Sequence, residues 1–107
     1  MLYYTNEAVI FALDKCSTID KYQVLIAAKH YRTLSYDLIN MIPDNISGKM
    51  YVRVGTPLCR IRFKNGSEIR MVRAQENARG YRCNLLIVED GVEEQIVRSV
   101  LQPTEIL

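Results

Sequence analysis

Two adjacent carboxylates, Glu89 and Asp90, close the apolar run 85–88 (LLIV) and stand just before Gly91. Such a run reads as a strand covered on both faces. A strand that delivers acids to its C-terminal end can hold magnesium through its water shell and orient a water for attack on a phosphate. Successive strand side chains face opposite ways, so a direct chelate would need acids from elsewhere. The next ones, Glu93 and Glu94, fall at a helix start, where negative charge already favours the helix dipole. No metal site is expected.

The second chemical signal is a block of positive charge. Residues 49–82 hold nine basic residues against Glu68 and Glu76, a balance of +7 inside a chain whose net charge is +2. The rest therefore carries −5, an asymmetry that suits a charged partner. Arg60, Arg62, Lys64 and Arg70, with Arg53 beside them, are expected to form a stripe on one face of a hairpin. Guanidinium groups at alternating positions can grip phosphates bidentately. The same residues would also serve as a solvated outer face that discourages edge pairing. Arg79 and Arg82 flank Gly80 in a polar loop and are read as further partner-binding residues, or as packing against the C-terminal acids.

Other chemistry finds little support. No serine sits in an elbow motif. His30 is the single histidine and reads as a surface or strand-end residue. Cys16, Cys59 and Cys83 contain no C-x-x-C pair, which points to free thiols in a reducing compartment. No cofactor is expected. No apolar run approaches the length of a membrane span, and Glu7 with no preceding basic region argues against a signal peptide. Seven tyrosines, against two phenylalanines and no tryptophan, exceed what a small core needs and favour interface use.

These groups must be positioned by a short list of elements. "TNEAVIFALDKC" predicts an opening helix capped by Thr5 or Asn6, with Val9, Ile10 and Leu13 on one face. "YQVLIAA" (22–28) predicts a buried strand. A helix over 33–42 carries Leu34, Leu38, Ile39 and Ile42, and ends at Pro43. "KMYVRV", "LCRIRF" and "EIRMVR" alternate, and Asn65-Gly66 between the last two is a hairpin signal. Cys59, Ile61 and Phe63 then face inward with Ile69 and Met71, while Arg60, Arg62, Lys64, Glu68 and Arg70 face outward. A loop over 74–84 with a short helical turn, the strand "LLIVE" and a helix that stops before Pro103 complete the chain. The expected fold is one small α/β domain over residues 1–107. It has a mixed sheet, of two buried strands plus an antiparallel hairpin, flanked by about three helices.

The order of these parts resembles the ATPase core of phage terminase large subunits. Phe63, Asn65, Gly66, Ser67 and Ile69, the loop residues Arg79, Gly80, Arg82 and Asn84, and Leu86 to Val88 carry the resemblance, which spans about residues 22–103. In that family an Asp-Glu pair ends the strand and serves magnesium and the attacking water. Here the pair is reversed, Glu89 then Asp90, and a misplacement of about 1 Å can cost on the order of a hundredfold in rate. A phosphate loop is also missing. In the only Gly-Lys pair, Gly48-Lys49, Met50 replaces the metal-binding hydroxyl and Pro43 the first glycine, and the 21 residues before the first buried strand contain no glycine.

The resemblance implies a phage or prophage origin and a host-cell cytoplasmic location. The expectation is a non-catalytic protein that acts by protein–protein contact. A packaging accessory factor and an inhibitor of host defence, such as an anti-CRISPR protein, are both compatible. Exposed sheet edges would favour self-association or docking to a partner. Two alternatives stand beside it: a nucleic-acid-binding module using the basic hairpin, and an ATPase half-site completed by a partner chain.

Overall fold

The computed structural model describes residues 1–42, 50–54 as backbone, and 59–106. Six strands form one mixed sheet. They are β1 (Leu2–Tyr3), β2 (Gln23–Ala28), β3 (Met50–Val54), β4 (Cys59–Phe63), β5 (Glu68–Arg73) and β6 (Leu85–Val88), in spatial order β1-β6-β2-β5-β4-β3. The first four in that order run parallel, and β4 and β3 are antiparallel additions. The expected small α/β domain with a mixed sheet and flanking helices is what forms.

Two helices, α1 (Asn6–Thr18) and α2 (Tyr31–Asn40), cover one face. Val9, Leu13, Leu34 and Leu38 pack there against Val24, Ile26, Ile61, Ile69, Met71 and Ile87. A 3₁₀ turn, Glu76–Gly80, and a C-terminal helix, α3 (Glu94–Ile96, continuing as a π-helical turn through Leu101), cover the other. Ala78, Val97, Val100 and Leu101 meet Leu25, Ala27, Leu86 and Val88 on that side. Apolar side chains of β2 and β6 are therefore buried on both faces, as continuous apolar runs require.

The local signals explain much of this. Thr5 caps α1, its Oγ1 accepting the Ala8 N–H at 3.0 Å. Gly66 takes φ +86°, the left-handed conformation that the tight β4–β5 turn demands. Cys59, Ile61, Phe63, Ile69 and Met71 are buried as the alternation predicts.

Four expectations need correction. Ile10 does not share the buried face of α1. It is 61% exposed, because each helical residue is rotated about 100° from the last and the sheet selects Ala8, Val9, Ala12, Leu13 and Cys16. The two small alanines allow that close approach, and a search for large apolar residues overlooks them. Second, α2 begins at Tyr31, two residues early. Third, β1 is not expected from the sequence: two residues are too few to show a period. Fourth, Lys64 falls in the turn beyond the end of β4 rather than on its outward face. As expected, the last helix ends at Leu101, before Pro103. That residue lies near the start of a final 3₁₀ turn (Gln102–Thr104), where its missing N–H matters little.

The segment 43–49, with Pro43 and Gly48-Lys49, lies outside the described residues. No helix among the described residues is long and apolar enough to cross a membrane.

Candidate functional site

The connection leaving β2 enters α2 on one face, whereas that leaving β6 reaches α3 on the other. Adjacent parallel strands whose connections diverge leave a crevice at their C-terminal ends, the usual place for a ligand in such sheets. Glu89 stands there. Its Oε1 accepts the backbone N–H groups of Lys29 and His30 at 2.6 and 2.8 Å, and its Oε2 lies 3.2 Å from His30 Nδ1. His30 is the N-cap residue of α2 and supplies no side-chain cap bond of its own. The carboxylate of β6 therefore satisfies donors at the start of a helix from another part of the chain. This extra cap extends α2 back to Tyr31.

Partial burial raises the Glu89 carboxyl, but the hydrogen bonds from His30 and Lys29 outweigh it and hold the group below its ordinary value. Asp90 is exposed on the turn that follows. The reversed pair thus separates into a structural acid and a solvated one. No cluster of three or more metal-ligating side chains occurs among the described residues. A second tie crosses the same region: Tyr4 Oη donates to Asp37 Oδ2 at 3.0 Å, joining β1's end to α2. Burial, then the bond to Asp37, raises the Tyr4 phenol above its usual range.

The basic residues gather elsewhere, on the second face of the sheet, where β4 contributes nothing to the apolar core. Glu68 is their hub. Arg60 Nε lies 2.8 Å from Glu68 Oε1, Arg70 Nη2 lies 2.9 Å from the same oxygen, and Arg62 Nε is 3.6 Å from Oε2. The Arg60 contact is Coulombic only, since its Nε–H is enclosed and makes no directed hydrogen bond. Three guanidinium groups against one carboxylate leave two positive charges, with Arg62 the most exposed at 56%. Arg53 stands opposite Arg60 in the strand register.

The remaining arginines separate by role. Arg79 bonds Glu76 and the Ser99 carbonyl at 3.0 and 2.9 Å, so it clamps the 3₁₀ turn to the C-terminal helix and does not pair with the C-terminal acids. Arg82 is exposed and bonds the carbonyls of Arg79 and Tyr81. The organising role of Glu68 went unread in the sequence. The Asn-Gly turn contained the clue, because it sets the register that places Glu68 directly opposite Arg62.

The chain matches no protein family, no curated protein and no solved structure. The terminase resemblance therefore rests on its motif residues, and several of these do structural work here. Asn65 Nδ2 donates to the Cys16 and Ile19 carbonyls at 2.8 and 3.3 Å. Ser67 Oγ donates to the Ile19 carbonyl and accepts the Tyr22 N–H. Asn84 Oδ1 accepts the Gln23 N–H. All three tether the entrance of β2.

Proposed function

We propose that this protein is a non-catalytic binding protein whose working surface is the basic face of β4 and β5, and that its partner is a polyanion of the nucleic-acid type. The observation that carries the reading is the convergence of Arg60, Arg62 and Arg70 on the single carboxylate of Glu68. A shared carboxylate holds the guanidinium groups in place without neutralising them, which lowers the ordering cost of meeting a phosphate backbone. The position of Glu89 supports the non-catalytic part. A metal or water role would require it to release the N–H groups that it caps, and this weighs against the ATPase half-site as well.

Fluorescence anisotropy with a labelled short DNA tests it. Binding should weaken steeply with salt, and Arg62→Ala/Arg70→Ala should flatten the slope of log affinity against log salt by roughly two for a duplex. Absence of binding at low salt would sink the reading.

A protein partner is the second reading, and the outer face of α1 favours it: Ile10 and Phe11 are 61% and 43% exposed. A light-scattering mass of the protein alone, with Ile10→Asp as control, tests for self-association. A packaging accessory role, or inhibition of a host defence system, belongs with this reading and with the phage origin that the motif residues suggest. Either reading places the protein in the cytoplasm, that of the host cell for a phage product, where free thiols stay reduced.

A further inference from the structure

Beside the arginine cluster the same face opens into a cleft of about 280 Å³, between the strands and the end of the 3₁₀ turn. Gln23, Leu25 and Arg70 line it from the sheet, and Gly80 and Tyr81 from the turn. The Arg70 guanidinium stands 5.3 Å from the centroid of the Tyr81 ring, so a cation held by Glu68 and an aromatic ring share one wall. A Cβ added at Gly80 would meet nothing within 4 Å, which leaves that side open. Gln23 contributes a polar group of fixed orientation. Its Nε2 donates to the carbonyls of Lys21 and Gly66 at 3.2 and 3.1 Å, and this leaves Oε1 as an acceptor with no donor among the described residues.

Resting on the basic face being the nucleic-acid surface, we propose that this cleft receives one unpaired base, so that the partner is single-stranded nucleic acid. Phosphates meet Arg62 and Arg70. The base lies against the Arg70–Tyr81 wall, as aromatic platforms take bases in sequence-tolerant single-strand binding. An exocyclic amino group donates to Gln23 Oε1, which favours cytosine over thymine. A base inside a duplex reaches such a cleft only by leaving its stack, so duplex binding is confined to phosphate contacts.

The experiment compares labelled dC and dT 12-mers with a 12-base-pair duplex by anisotropy, at one salt concentration and pH 8. The dC strand should bind at least about tenfold tighter than the duplex. Tyr81→Ala, and Gly80→Leu as a cleft-filling change at an open position of ordinary φ, should each lower single-strand affinity about tenfold, well beyond any change in duplex affinity. Gln23→Ala should abolish the preference for dC over dT. Equal affinity for strand and duplex, indifferent to Gly80→Leu and Tyr81→Ala, overturns the cleft proposal while the basic face survives. Failure of every oligonucleotide to bind removes the reading of the face itself.

Discussion

Glu89 Oε1 accepts the backbone N–H of His30 at 2.8 Å, so the acid that ends β6 caps the helix that follows its neighbour β2. The crevice where adjacent parallel strands send their connections to opposite faces is where an open sheet ordinarily receives an anion. In this protein the donors at the start of α2 already hold an internal one. An apolar strand ending in two acids is common to a hydrolytic site and to a helix clasp, and the direction of the Glu89 side chain separates them here.

The two acids should behave oppositely on mutation. Glu89→Ala removes an acceptor from two backbone N–H groups and should cost about 1–3 kcal/mol, a melting temperature lower by several degrees. Asp90→Ala, on an exposed turn, should stay within about 0.5 kcal/mol of the parent. Thermal denaturation of both checks this, and equal effects would contradict the assigned roles.

Acid should loosen the same clasp. Because the folded Glu89 carboxyl lies below its ordinary value of 4.5, its contribution is complete above that value and is lost as pH falls through the lower, folded one. Melting temperature plotted against pH should fall below about 4.5 less steeply in Glu89→Gln than in the parent, since the variant has no proton to take up there. Parallel acid limbs would refute it.

The thiols should be inert in the native state. Cys16, Cys59 and Cys83 are free and buried, and burial raises all three, Cys16 to about 12. The thiolate is the reactive form, so alkylation at pH 8 should be slow until denaturant is added. Rapid native labelling of Cys16 would show that the packing of α1 on the sheet opens readily.

The turn that binds the entrance of β2 should be worth more than a hairpin tip ordinarily is. Ser67 is 1% exposed and its hydroxyl both donates and accepts. Ser67→Ala should therefore cost about 1–3 kcal/mol by stranding the Tyr22 N–H and leaving the Ile19 carbonyl only its longer bond from Asn65. Lys64→Ala, in the same turn but exposed, should have little effect. Urea denaturation of the pair measures the difference.

Much of the architecture was legible in the sequence because it depends on local geometry. The period of two in β4 and β5 sorted Arg60, Arg62 and Arg70 from Ile61, Ile69 and Met71, and Asn65-Gly66 marked the turn. Unbroken apolar runs identified β2 and β6, and Thr5 the start of α1. What only the tertiary structure decided are relationships between distant segments. Glu89 and His30 are 59 residues apart, and Asn65 and Cys16 are 49 apart. Parallel neighbours are joined by crossovers, not tight turns, so no local signal sets which strand lies beside which. The face of α1 that is buried, the pairing of two-residue β1 and the partner of each acid follow from that arrangement. Residue type placed the charges in the chain, and packing determined that Glu89 would cap a helix and Glu68 would gather arginines.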